Sequence, residues 1–216
     1  MREFDYSTVK HYKLYGFIKK VFAPAFKWLY RLEFKGLENV PPQGTRYIVA
    51  INHTCAFDPV FVSIPKKVPA LHFMAKAELF SNPIAGWFIK HMYGFPVNRG
   101  KGDTSAIDYG EKIIEEGHVM AICPEGRRVK DKDGVPQKAK AGVAVIAKAA
   151  KAPVLPVSIY NREDMKRGSK ITVRFGELIP YEELGFTEEG SKTEEKAVAA
   201  YIMERIVDLW RLGHCE

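Results

Sequence analysis

The sequence predicts an α/β fold: a mixed, mostly parallel sheet flanked by helices, with an N-terminal amphipathic helix pair in front of it. Three observations carry this reading. From Gly36 onward, short apolar runs alternate with helix-period segments. The 216 residues are 46% hydrophobic and 27% charged, which suits one sizeable core. Residues 8–32 follow neither pattern and interleave basic with bulky apolar side chains. The chain therefore divides into residues 1–35, read as membrane-interface helices, and residues 36–216, read as the main domain.

In the first segment Lys10, Lys13, Lys19, Lys20, Lys27 and Arg31 stand among Tyr12, Phe17, Ile18, Phe22, Phe26 and Trp28, and Pro24 splits it into two short helical pieces. Such broken amphipathic helices suit an interfacial anchor, with apolar groups in the acyl boundary and cations at anionic head groups. A helix pair packed on the core with solvated lysines is the alternative. In the main domain Arg46-Tyr-Ile-Val-Ala-Ile51 is a β-branched, apolar run suited to a buried strand. Further strands are expected near 70–75, 94–97, 119–123, 153–159 and 170–176. Helices are expected near 57–64, 78–92, 104–116, 140–150 and 193–212. The 104–116 helix opens at an Asp103 cap, places Ile107, Ile113 and Ile114 at helical spacing, and ends at Gly117. Residues 127–139, with five basic side chains, read as a loop that lies over a phosphate, over a membrane, or simply in solvent.

The balance of 33 Lys plus Arg against 26 Asp plus Glu gives a formal charge of +7. Nucleic acid, acidic lipid and phosphorylated substrates all fit that sign. Cys55, Cys123 and Cys215 are odd in number and without paired spacing, so neither a disulfide framework nor a zinc ligand set is expected. The N-terminus lacks the apolar core of a signal peptide, and no apolar run approaches the ~20 residues a spanning helix needs.

His53 and Asp58 lie in the run Ala50-Ile-Asn-His-Thr-Cys-Ala-Phe-Asp-Pro59, just past the predicted 46–51 strand. Open α/β sheets put their ligands at such carboxyl ends. Pro59 biases Asp58 away from the helical region, so the segment reads as a turn that returns the carboxylate to the imidazole. The Asp would hold one ring nitrogen protonated and leave the other to accept a proton from a hydroxyl. The alternative is a histidine at a strand end and an Asp opening a turn. Cys55 raises a Cys-His nucleophile as a rival, although residues two apart in a tight loop tend to point apart. His11, His72, His91, His118 and His214 are scattered and read as surface or core residues.

Three later blocks accompany that pair: Gly94-Phe-Pro-Val-Asn-Arg-Gly100, Cys123-Pro-Glu-Gly-Arg-Arg128 and Val154-Leu-Pro-Val-Ser158. In order and spacing the four blocks resemble the glycerolipid acyltransferases, the group containing 1-acylglycerol-3-phosphate acyltransferase, over roughly residues 36–180. Asn52, His53, Asp58, Gly94, Arg99, Pro124, Glu125, Gly126, Arg128 and Pro156 match the family pattern. Asn98, Cys123, Arg127 and Val129 stand where the family commonly has Asp, Phe, Thr and Ser. The resemblance implies transfer of a fatty acyl group from acyl-CoA or acyl-carrier protein to the free hydroxyl of 1-acylglycerol 3-phosphate, with no cofactor or metal. It makes His53 the general base and Asp58 its orienting partner. Arg99, Arg128 and Arg127 would meet the acceptor phosphate, Glu125 would orient an arginine or accept a glycerol hydroxyl, Gly126 would allow close approach, and Lys140 would serve the same anionic region. Backbone amides after Asn52 or before Pro59 are candidates for the oxyanion. The extra guanidinium of Arg127 keeps another lysophospholipid or hydroxyl acceptor open. Among basic-protein partners the resemblance selects a lysophospholipid and an anionic membrane surface over nucleic acid, and it implies a peripheral protein on the cytoplasmic side of the membrane.

Overall fold

The computed structural model describes residues 4–98, 104–129, 134–161, 166–187 and 190–215. Among them, seven strands form one sheet: β1 (Arg31–Lys35), β2 (Tyr47–Ile51), β3 (Leu71–Lys76), β4 (Gly94–Val97), β5 (Val119–Ile122), β6 (Val154–Tyr160) and β7 (Lys170–Phe175), in the spatial order β1-β7-β6-β2-β5-β3-β4. All neighbours are parallel except β6 and β7. The five strands from β6 to β4 therefore end on the same edge, and β2 is the central strand of the seven. Its five residues are all buried, as a strand covered on both faces requires.

Helices cover both faces. Helices α1 (Tyr15–Leu29), α2 (Asp58–Ser63) and α3 (Pro83–His91) pack on one side, around a core that includes Ile18, Phe26, Phe61, Phe73 and Val157. On the other side α4 (Thr104–Glu115), α5 (Gly142–Ala149) and α6 (Lys192–Arg211) enclose Ile113, Met120, Ile146 and Ile202. Ser191 caps α6 by accepting the Glu194 amide at 3.1 Å.

Two expectations about the N-terminal segment need correction. It contains one helix, α1, which continues through Pro24, and residues 8–14 precede it without helical structure. Pro24 is exposed on the outer face, away from the packed side of the helix, where its ring disturbs no core contact. Meanwhile Ile18 and Phe26 anchor the inner face on both sides of it. Residues 10 and 12 are held instead by tyrosines, the Lys10 amide donating to the Tyr109 hydroxyl and the Tyr12 amide to that of Tyr93, each at 3.2 Å. Residues 31–35, assigned from sequence to the same segment, form β1 and pair with β7 along their whole length. The helix expected at 78–92 is broken into a 3-10 stretch, Ala77–Ser81, and α3, because Asn82 caps α3 by accepting the Ile84 and Ala85 amides at 3.0 Å.

Candidate active site

His53 follows the carboxyl end of the central strand by two residues. Asn52 fixes that exit: its amide nitrogen donates to the Ile159 carbonyl at 3.0 Å and its oxygen accepts the Ile159 amide at 2.7 Å, tying the end of β2 to β6. The next residues turn tightly around Asp58, which is fully buried. One carboxylate oxygen accepts the His53 ring Nδ1 at 2.8 Å and the Thr54 and Cys55 amides at 2.7 and 2.9 Å. The other accepts the Thr54 hydroxyl at 2.9 Å. Four donors thus converge on this buried carboxylate. Removing it would strand buried N–H groups, at about 1–3 kcal/mol each.

The return of the carboxylate to the imidazole is as the spacing predicts, but the backbone differs in one respect. Asp58 is the first residue of α2, with Pro59 following in the first turn, rather than part of an open loop. Proline at this position lacks only an N–H that has no helical acceptor, and the acidic side chain sits at the positive end of the helix.

With Nδ1 engaged by Asp58, the ring is oriented and Nε2 is the nitrogen left to exchange a proton. His53 also lines a cavity of about 980 Å³. Arg128, Lys140 and Gly126 line the same cavity, as do the apolar Phe57, Trp87, Ile107, Ile122 and Val143. Gly126 has φ +68°, and a Cβ there would come within 3.0 Å of the Lys140 side chain. Only glycine suits both the left-handed backbone and the close passage of that lysine.

Glu125 takes a different part from the one expected. It is buried, and its carboxylate accepts the His53 amide at 2.5 Å and the Gln137 amide at 2.8 Å. Burial pushes its carboxyl up from the ordinary value, and the two amide hydrogen bonds oppose that rise. The Val129 amide in turn donates to the His53 carbonyl at 2.9 Å. Glu125 therefore fastens the segment after β5 to the His53 turn from both sides.

The same bonds occupy four of the expected oxyanion donors. The His53 amide serves Glu125, the Thr54 and Cys55 amides serve Asp58, and the Phe57 amide donates to the Cys55 sulfur at 3.2 Å. These four amides shape the turn. That sulfur is also a poor nucleophile, since burial raises the Cys55 thiol strongly and the Asp58 charge adds to the rise.

Arg127 is exposed and is not among the residues lining the cavity. Arg99 and residues 130–133 of the basic segment lie outside the described residues. Among the described residues, no three His, Cys, Asp or Glu side chains are placed to hold a metal ion, and no helix is long and apolar enough to cross a membrane. Sequence reasoning missed Thr54 and Gln137 as supports of the turn, and it missed α3 as a wall of the cavity.

Residues 31–160, more than half of the chain, match the acyltransferase family model. The chain belongs to the acyltransferase family. Over 176 residues this acyltransferase is 31% identical to the 1-acyl-sn-glycerol-3-phosphate acyltransferase of Bacillus subtilis, spanning 80% of this chain and 84% of that one. It is 29% identical to the Streptococcus pneumoniae enzyme of the same name over 165 residues, 74% of this chain but only 60% of the relative. Its fold is similar to the crystal structure of the 1-acyl-sn-glycerophosphate acyltransferase PlsC from Thermotoga maritima. There the TM-score is 0.66 at 25% identity, covering 88% of this chain and 78% of the other. The family match begins at β1, so the strand that the sequence reading placed outside the main domain lies inside the matched region.

Proposed function

We propose that this acyltransferase moves a fatty acyl group from acyl-CoA or acyl-carrier protein to the free hydroxyl of 1-acylglycerol 3-phosphate, forming phosphatidic acid. The observation that carries the proposal is the buried 2.8 Å His53–Asp58 pair, whose histidine lines a cavity walled by Arg128, Lys140 and many apolar side chains. His53 Nε2 takes the proton of the attacking hydroxyl as its oxygen bonds to the thioester carbonyl carbon. Asp58 stabilises the imidazolium. The tetrahedral intermediate collapses, the carbon–sulfur bond breaks, and the leaving thiolate recovers the proton from His53. No bond to the protein forms. Positioned base catalysis contributes about 10²–10⁴-fold, and holding both substrates in one cavity supplies a further large factor.

Arg128 and Lys140, with Arg99, are assigned to the acceptor phosphate, for which fixed cations are the natural partners. The apolar part of the cavity, with a total volume of about 980 Å³, suits acyl chains. Helix α1 supports a peripheral position on an anionic membrane, on its cytoplasmic side. While Ile18 and Phe26 face the core, Phe17, Val21 and Trp28 share the opposite face and are exposed, with Lys20 and Lys27 exposed beside them. A helix apolar on both sides requires an apolar medium on each.

Purified protein incubated with labelled acyl-CoA or acyl-carrier protein and a panel of lysophospholipids tests this directly. Phosphatidic acid is the expected product, with 1-acylglycerol 3-phosphate preferred. Faster acylation of a choline, ethanolamine or glycerol head group would transfer the assignment to that acceptor.

A further inference from the structure

Across the cavity from α1, the 3-10 stretch and α3 present a second apolar surface that the catalytic account leaves unexplained. Leu79, Ile84 and Trp87 are 43%, 81% and 49% exposed, and all three line the cavity wall. Ile84 and Trp87 are three residues apart and share one face of α3. They have no room to turn inward. Phe88 and Ile89 already fill the inner side of the helix, and a Cβ on Gly86 would meet the Phe80 carbonyl oxygen at 2.8 Å. Glycine thus seats α3 directly on the preceding turn and fixes Ile84 and Trp87 on the outside.

We propose that the Leu79–Ile84–Trp87 surface is a second bilayer-inserting wedge, which enters a lipid leaflet together with α1 so that the cavity between them opens into hydrocarbon. The inference rests on the lipid-surface reading above and adds a contact that α1 alone does not require. Continuity argues for a leaflet as the occupant. Phe22 of α1 meets Phe88 of α3 with ring centroids 5.1 Å apart, and exposed Phe57 stands beside them, 5.1 Å from Phe26. The exposed apolar residues consequently lie on both sides of one opening, where a single partner helix would cover one side. Charge agrees. Lys20, Lys27 and Lys90 are exposed on the two helices, while Glu78, the acidic group next to the wedge, is paired with Lys76 at 3.0 Å. Lysines bordering an apolar wedge meet anionic head groups while the wedge enters the acyl boundary.

The three tryptophans supply the test. Trp28 is on α1, Trp87 on the wedge, and Trp210 is buried in α6. Single-tryptophan variants of the full chain, made by Trp→Phe at the other two positions, are mixed with phosphatidylglycerol–phosphatidylcholine vesicles brominated along the acyl chains. Trp87 emission is expected to shift blue and fall at least twofold, as Trp28 emission does, with Trp210 unchanged. As a second variant, Ile84→Glu is expected to weaken vesicle binding at least tenfold without lowering the melting temperature, since the side chain is exposed. Quenching of Trp28 without Trp87, or vesicle binding unchanged by Ile84→Glu, would overturn the wedge. So would protection of Trp87 by self-association in lipid-free solution. Wild-type transfer to a short-chain, water-soluble acceptor is measured in parallel. Its loss with quenching intact would count against the enzymatic reading alone.

Discussion

Two regions of the cavity wall, a polar one around His53 and an apolar one on α1, the 3-10 stretch and α3, are built on opposite principles. Around His53 three polar side chains are committed to the turn: Asp58 accepts four donors, Glu125 accepts two backbone amides, and Asn52 satisfies both backbone groups of Ile159. On α1, the 3-10 stretch and α3, large apolar side chains stand exposed. The first arrangement fixes one ring in one orientation, which proton transfer needs. The second leaves an exposed apolar surface, which the proposed lipid contact would cover. Rate should accordingly depend on the polar region, and chain selection and membrane residence on the apolar side chains.

The sharpest test of that division among the supporting residues is Glu125→Ala, because it frees the His53 turn without touching the ring. A fall in kcat of up to about 10²-fold is expected with the acceptor KM little changed, since small misplacements of a catalytic group have effects of that size. Glu125→Gln, which retains a carbonyl acceptor, should recover part of the loss. A selective rise in acceptor KM would instead make Glu125 a binding group. Next in size, Arg128→Ala and Lys140→Ala should each raise the acceptor KM about tenfold, equivalent to about 1.4 kcal/mol, and leave the donor KM unaffected. Equal effects on both substrates would break the assignment to the acceptor phosphate. On the α4 wall of the cavity, Ile107→Trp should disfavour the longest acyl chains by about tenfold, as a loss of pocket volume worth one or two methylenes does. Competition between acyl donors of different length measures this.

Much of the polar region was legible in sequence because its signals are local. The five-residue spacing of His53 and Asp58 and the apolar run of β2 place base and carboxylate together with no long-range knowledge. The order of the four blocks supplied the rest, since β2, β4, β5 and β6 all end on one sheet edge. What the chain did not reveal were interactions that join distant segments. The Glu125 bond to the His53 amide spans 72 residues, and nothing local marks the carboxylate as a backbone acceptor. Residues 31–35 alternate charged and apolar side chains beside an aromatic helix, so β1 was absorbed into that helix and emerged only through its pairing with β7. Pro24 carries the usual signal of a helix breaker, but packing of Ile18 and Phe26 overrides it.

A smaller effect concerns stability and lies away from the cavity. His72 is buried beneath Tyr93 and next to His118, and burial, aided by the positive potential of His118 and His11, lowers its pKa to about 3. The folded state holds His72 neutral, whereas the unfolded chain protonates it near 6.5. The stability its neutral form allows is thus fully present above pH 6.5 and is lost as pH falls toward 3. At pH 5 the loss is about 2 kcal/mol, from 1.36 kcal/mol per pH unit. Chemical denaturation of His72→Phe should show a shallower decline between pH 6.5 and 5, with a residual slope from His118, whose pKa is lowered the same way. An unchanged slope would remove His72 from this account.

The central claim is that His53 and Asp58 act as one unit, base and orienter. A double-mutant cycle on acyl transfer measures it, using His53→Ala, Asp58→Asn and the combined variant, with circular dichroism and melting temperature confirming that each is folded. The account predicts that His53→Ala lowers kcat by about 10²–10⁴-fold. Asp58→Asn should lower it less, and the double variant should be no slower than His53→Ala alone. Turnover of His53→Ala comparable to wild type, or losses that simply multiply in the double variant, would contradict it.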